Sequence, residues 1–421
     1  MTTWVDRDAA VVWHGFTQMA AYGENQPVIV ESGEGREVID VLGNRYLDAI
    51  SSLWVMTLGH RVPELDDALR AQIDRIAHST MLGNGNTVVI ELSEALASVV
   101  PVDEPHFLYA GDGATAVEQA LKIAFQYWVN RGETRTEWAG LAGAYHGDTV
   151  GAMSLGDAGF GTSIFDPLRF PVHRAPTVAD AVDLVLRRGD DLAAVIVEPL
   201  VQAANQMAML DADALSDLGA ACRETGVLLI CDEVATGFGR TGTMFASEQC
   251  GIRPDLLVLG KGMSGGYLPL SATVASGRVF RAFLGPDLSD KTLYHGHSFG
   301  GNALACAVAL RHLQLFAEWD VLANVRDREA QLRARLEVDI APLPVVGDVR
   351  LRGLMGGVDL MAPSSDARWG RRVCAAAVRK GVLMRPIGDT VILMAPLTLT
   401  ADEADRIVDV LAEAIIEVCA E

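Results

Sequence analysis

Two short apolar runs, each stopped by a polar residue, constrain this chain more than any other stretch. Leu228-Leu229-Ile230-Cys231 ends at Asp232, and Leu256-Leu257-Val258-Leu259 ends at Gly260-Lys261. Unbroken apolar runs this short suit inner strands of a parallel sheet, which are covered on both faces. Ligands of open α/β sheets sit beyond the carboxyl ends of such strands. Asp232 and Lys261, 29 residues apart, are therefore expected to project into one crevice.

The surrounding chain carries the alternation that such a sheet needs. Phe107–Ala110, Val195–Val197 and Ser271–Ala275 read as further strands, separated by helical segments, so residues from about 107 to 275 predict a doubly wound α/β sheet. Ahead of it, Val28–Val30 and Val38–Asn44 suggest a small hairpin-rich lobe, and Pro63 opens a helical pattern through Leu65, Leu69, Ile73 and Ile76. From about residue 310 the pattern changes to amphipathic helices with short strands at 345–351, 356–360 and 390–394. Thr400-Ala401-Asp402-Glu403 is a capping box opening the last helix. The expected division is 1–60 as the N-terminal part of a small lobe, 61–310 as a large domain and 311–421 as a C-terminal small domain.

Composition narrows the class of function. Half of the 421 residues are apolar, enough for a large core. A formal charge of −21 disfavours nucleic acid and anionic membranes as partners. The apolar runs are too short to span a bilayer, the first residues do not resemble a secretory signal, and six scattered cysteines read as reduced thiols, so a cytoplasmic location is expected. The pair His295 and His297 lacks a companion ligand cluster, and no metal is expected.

Three loops at expected strand ends carry chemistry. Gly111-Asp112-Gly113-Ala114-Thr115 joins a strand to a helix, and its free N–H groups at the positive end of the helix dipole could cradle phosphate; a plain helix start capped by Asp112 is the equal alternative. Ala144-Tyr145-His146-Gly147-Asp148 offers an aromatic ring that could stack on a flat heterocycle, or simply be buried. Glu198 ends another strand. An acid and a lysine meeting at strand ends suit a pyridoxal phosphate enzyme: the lysine forms a Schiff base with the cofactor aldehyde, and the carboxylate keeps the pyridine nitrogen protonated.

Asp232-Glu233-Val234-Ala235-Thr236-Gly237-Phe238-Gly239-Arg240-Thr241-Gly242, with Lys261 beyond it, resembles the class III aminotransferases of pyridoxal phosphate fold type I over essentially the whole chain. Trp13-His14, Phe16-Thr17-Gln18-Met19, Ser52-Leu53-Trp54 and Met384-Arg385-Pro386 resemble the branch of that family acting in biotin synthesis. The alternative within the family is an enzyme for an ω-amino acid or a diamine. The resemblance implies a large, mostly parallel sheet domain with a smaller α+β lobe from both terminal segments. It also implies a homodimer with shared active sites and two small-molecule substrates, a keto amino acid and an amino donor (S-adenosylmethionine or lysine). Residue by residue, it implies that Lys261 is the Schiff-base lysine and proton shuttle, that Asp232 pairs with the pyridine nitrogen, and that Val234 and Tyr145 cover the two ring faces. The Gly113 and Ala114 amides would hold the phosphate, with Ser298 of a partner subunit completing that site. Phe16, Trp54, Tyr145, Asp148, Arg240 and Arg385 would line the substrate pocket, Arg385 as a fork for a carboxylate; an internal ion pair with an acid of its own motif is the alternative for Arg240. The sequence departs from the family at Asp112, where serine is usual, and an aspartate there is expected to turn away from phosphate and cap the helix.

Overall fold

A computed structural model describes residues 2–157 and 162–419. Its centre is a seven-stranded sheet: β1 (His106–Ala110), β2 (Glu137–Leu141), β3 (His173–Ala175), β4 (Leu192–Val197), β5 (Leu228–Asp232), β6 (Leu256–Leu259) and β7 (Ser271–Ala275). The spatial order is β1-β7-β6-β5-β4-β2-β3. All strands run parallel except β7, which is antiparallel to both β6 and β1. Every residue of β4, β5, β6 and β7 is buried, as two-sided cover by helices requires. The two apolar runs of the sequence are thus adjacent central strands, with Asp232 level with Val258.

The helix after β1, α1 (Gly113–Arg131), packs one face of the sheet through Val117, Ala120, Leu121, Ala124 and Trp128. It stops at Gly132, whose φ of 75° is the left-handed conformation that ends helices without Cβ strain. β2 and β3 were not marked by any apolar run: β2 reads Glu-Trp-Ala-Gly-Leu and β3 only His-Arg-Ala, and pairing with their neighbours rather than local composition makes them strands.

Two smaller sheets come from the ends of the chain. Val30–Glu34, Glu37–Asp40 and Arg45–Asp48 form a meander, and Val382–Leu383 adds to it in parallel beside Arg45–Asp48. Val346–Arg352, Met355–Leu360, Arg385–Ile387 and Thr390–Leu393 form the other. The last helix, Ala401–Cys419, has the expected capping box: the Thr400 amide donates to Glu403 Oε2 (2.9 Å) and the Glu403 amide to Thr400 Oγ1 (3.3 Å). Its residues Ile407, Val408, Leu411, Ile415 and Val418 are buried.

One connection is unusual. Ser51, Ser52, Leu53 and Trp54 all have positive φ (52°, 53°, 85° and 72°), so the chain makes a turn of left-handed helix without glycine. Each such L-residue costs on the order of 1 kcal/mol or more. Buried hydrogen bonds offset the strain: Ser51 Oγ donates to the Met394 carbonyl (2.7 Å), and the Ser52 amide and Oγ donate to the two oxygens of the fully buried Asp48 carboxylate (3.0 and 2.9 Å).

Candidate active site

The carboxyl ends of β1, β4, β5 and β6 open onto one cavity of about 490 Å³. Lys261 and Asp232 both line it, with Val234, Tyr145, Asp148, Gly113, Ala114 and Trp54. Lys261 has a φ of 39°, held by the short helical turn that begins there. Burial lowers the Lys261 ammonium pKa, and Arg240 adds to this, against the opposing pull of Asp232 and Glu198. A lysine so placed loses its proton more easily than one in water. Its Nζ lies 5.2 Å from the centre of the Trp54 ring.

Asp232 is held rather than free. Oδ1 accepts from the Val234 amide (3.0 Å), and Oδ2 lies 2.7 Å from His146 Nδ1. His146 is buried, and its Nε2 has no partner among the described residues. The imidazole fixes the carboxylate's orientation toward the cavity. The sequence marks His146 only by its place between Tyr145 and Asp148 in a turn; its pairing with β5 is a tertiary fact. Glu198 also lines the cavity, accepting from the Tyr145 amide (3.0 Å) and the Ala203 amide (3.3 Å). Burial chiefly, with a push from Asp232, raises its pKa to about 7, so this acid ties the Tyr145 loop to the 203 loop at little cost in negative charge.

The turn expected to cradle phosphate opens α1. Asp112 is the N-cap of α1, its Oδ1 accepting from the Thr115 amide (2.9 Å) and its Oδ2 from Thr115 Oγ1 (2.8 Å). The carboxylate is thereby turned onto its own helix, and the amides of Gly113 and Ala114, the first two of the helix, remain for a ligand. A Cβ on Gly113 would come within 2.7 Å of Val234 Cγ1, and one on Gly147, whose φ is 124°, within 2.4 Å of Ala114 Cβ. Both glycines let the cradle, Val234 and the Tyr145 loop meet. Tyr145 Oη donates to Asp148 Oδ2 (3.0 Å), and burial followed by the Asp148 charge pushes the phenol pKa up.

Arg240, Arg385 and Phe16, expected at the substrate pocket, do not line this cavity, and neither does Ser298, which is expected to serve a partner subunit. Arg240 is 1% exposed and does not line the cavity; it makes no ion pair with an acid of its own motif either, since Glu233 accepts from Ser247, Ala246 and Thr236. Its guanidinium instead donates to the carbonyls of Ala395 (2.6 Å), Met56 (3.1 Å) and Trp54 (3.3 Å). Arg385 lines a separate cavity of about 640 Å³ with Ser52, Leu53, Met56 and His60, on the other side of the left-handed turn. Phe16 is 65% exposed. Ser298 is exposed, and its carbonyl lies 2.7 Å from His78 Nε2. His295 and His297 approach each other through their Nε2 atoms (3.0 Å), and Lys122 Nζ lies 3.1 Å from His295 Nδ1.

The family profile described as "Aminotransferase class-III" matches residues 19–415. The chain is a class-III aminotransferase. Its cofactor is pyridoxal phosphate, and the walls fit that group: a lysine and an oriented carboxylate in one cavity, a flat ring and a valine for its faces, and unclaimed amides for its phosphate. Among relatives of this aminotransferase, the adenosylmethionine-8-amino-7-oxononanoate aminotransferase of Nitratidesulfovibrio vulgaris is 43% identical, over 98% of this chain and 81% of its own length. The crystal structure of the enzyme of that name from Methanocaldococcus jannaschii is 39% identical, covers 97% of this chain and 98% of its own, and superposes with a TM-score of 0.94. The omega transaminase of Pseudomonas jessenii in complex with PMP is 27% identical over 99% and 98%, with a TM-score of 0.92. No helix among the described residues is long and apolar enough to cross a membrane.

Proposed function

We propose that this aminotransferase converts 8-amino-7-oxononanoate to 7,8-diaminononanoate in biotin biosynthesis, with S-adenosylmethionine as amino donor. The observation that carries the chemistry is Lys261 sharing its cavity with an Asp232 that His146 holds in place. The substrate reading is supported by relatives of that name that match nearly the whole chain.

Bound pyridoxal phosphate supplies an electron-accepting ring and the carbon through which the amine passes. The protein's part is positioning and proton transfer. Asp232, held by the Val234 amide, would keep the proton on the pyridine nitrogen, and the Gly113 and Ala114 amides would bind the phosphate. Val234 and Tyr145, which line the cavity, would fix the plane of the ring. Lys261 Nζ, deprotonated more readily through burial, takes the proton from the donor's α-carbon and returns one to the acceptor carbon. Trp54 screens that nitrogen from water. One cavity serves donor and acceptor in turn, which predicts ping-pong kinetics.

The working unit in this reading is a cytoplasmic homodimer. Large apolar side chains left exposed support it: Trp13 near the N-terminus, and Tyr294 and Phe299, which bracket Ser298. Arg385 and Phe16, outside the cavity within one chain, are assigned to the outer wall of the substrate pocket in the assembled enzyme. Enzyme converted to the pyridoxamine form should recover its aldehyde-form absorption when 8-amino-7-oxononanoate is added. Failure to do so, with recovery on an ω-keto acid or an amino aldehyde, would assign the chain to the ω-amino acid and diamine branch instead.

A further inference from the structure

The helix Ala303–Glu318 turns an otherwise apolar face to the core, with Ala305, Val308, Ala309, Leu315 and Phe316 buried along it. His312 stands in the middle of that face, fully buried, and burial lowers its pKa to about 3, so the imidazole is neutral. A buried polar ring costs stability unless it is hydrogen-bonded. Here Nε2 lies 2.6 Å from Oγ1 of Thr57, which is fully buried as well. What this pair touches is the turn that carries Lys261.

Lys261 opens a single 3₁₀ turn, Lys261–Ser264, with a φ of 39°, and Gly265 closes it with a φ of 64°. A turn this short has few bonds of its own: the Met263 amide donates to the Gly260 carbonyl (2.9 Å) and the Gly265 amide to that of Gly262 (3.0 Å). Its neighbours press close along its whole length. A Cβ on Gly260 would lie 3.2 Å from Val234 Cγ1, one on Gly262 would lie 3.0 Å from Thr57 Cγ2, and one on Gly265 would lie 3.0 Å from His312 Cδ2. The turn therefore meets Val234 at its start, Thr57 in its middle and His312 at its end, and the hydrogen bond joins the last two. The Leu397 amide donates to the Thr57 carbonyl (2.6 Å), which fixes Thr57 through its backbone as well.

We propose that His312 is a positioning residue of the reaction: bonded to Thr57, it backs the Lys261–Ser264 turn and fixes where Lys261 Nζ stands in the cavity. It does not line that cavity itself. The ring's stiffness matters as well as its hydrogen bond. A glutamine can keep the bond to Thr57, but it is more flexible and sets no flat ring against Gly265. The proposal rests on the reading of the Lys261 cavity as the reaction site, and extends it to a residue outside that cavity.

Thr57→Val and His312→Leu, singly and together, test it with two readouts. The visible circular dichroism of the cofactor-loaded enzyme reports how the ring is held at Lys261 and needs no substrate. Rapid mixing gives the second readout, the limiting rate of each half-reaction: S-adenosylmethionine with the aldehyde form, and 8-amino-7-oxononanoate with the pyridoxamine form. Lys261 moves the proton in both, so each single variant should change the dichroism and lower both rates by a similar factor, roughly 5- to 30-fold, with half-saturating concentrations within about 2-fold of wild type. The double variant should lie within about 2-fold of the worse single one. His312→Gln should recover part of the loss, and it replaces Leu in the cycle, under the same criteria, if His312→Leu does not fold. Variants that unfold more easily in urea yet keep wild-type dichroism and rates, or a loss confined to one half-reaction, would overturn the proposal. Wild-type enzyme that ignores 8-amino-7-oxononanoate would reject the substrate reading alone, and the dichroism would still decide on His312.

Discussion

Asp112 answers two opposed demands with one side chain. A carboxylate at the N-cap satisfies Thr115 and complements the dipole of α1, yet it stands beside the amides meant for a dianionic phosphate. Serine would keep the cap bond without the charge. Asp112→Ser is therefore expected to leave stability within about 0.5 kcal/mol and to tighten pyridoxal phosphate binding roughly 3- to 10-fold. Titration of the apoprotein with cofactor measures it; unchanged affinity would mean that the cap already removes the charge from the phosphate's reach. A second residue with a legible pH signature is His312. It is fully buried, with Nε2 2.6 Å from Thr57 Oγ1, and burial lowers its pKa from 6.5 to about 3. A base held neutral this way adds stability that is complete above the unfolded value and is lost as pH falls from about 6.5 toward about 3, because the unfolded chain binds the proton first. His312→Gln keeps a polar partner for Thr57 and removes the titration. Urea unfolding across that window should show a slope against pH smaller than wild type by up to ~1.4 kcal/mol per pH unit. An unchanged slope would show that His312 is hydrated and titrates normally.

At the scale of elements, the left-handed turn at 51–54 is where local preference loses to tertiary contact. Leu53 has a φ of 85° and ψ of 55° and is 44% exposed, so it carries the strain with little burial in return. Glycine adopts that conformation freely but loses more chain entropy on folding. The expected balance for Leu53→Gly is a gain of about 0.5–1 kcal/mol in unfolding free energy. A lower urea midpoint would mean that Leu53 packing in the Arg385 cavity outweighs the strain. The central strands behave differently: β6 is apolar throughout and β5 is apolar up to Asp232 at its end, and both sit at the sheet's centre, so their composition and their environment agree.

At the scale of the whole molecule, the site in one chain has an acidic rim and few of its own cations. Among the described residues, Asp112, Asp148, Glu198 and Asp232 line the cavity and Lys261 is its single basic side chain apart from His146. In the proposed homodimer, Ser298 and the exposed Phe299 beside it would serve another copy. A shared site makes a complementation prediction. Lys261→Ala and Ser298→Asp variants, each nearly inactive alone, should regain roughly a quarter of wild-type activity when unfolded together and refolded as mixed dimers, since half the dimers are mixed and each has one intact site. No recovery above the separate variants would place Ser298 and Lys261 in the same chain's site or remove Ser298 from it.

The sequence alone determined the central strands, the acid and lysine at their ends, and the glycine turn after β1 with the cap on its helix. Each is set by a few adjacent residues whose local preference and final surroundings coincide: Leu228–Asp232 and Leu256–Lys261 for the sheet, Asp112–Thr115 for the helix start. Tertiary structure alone decided that His146 meets Asp232 across 86 residues, that β2 and β3 are strands, and that Arg240 donates to three backbone carbonyls. The physical reason is that a buried polar group takes whichever partner the packing brings, and that partner can lie anywhere along the chain. A guanidinium 155 residues from Ala395 and 186 from Trp54 carries no local mark of what it will hold.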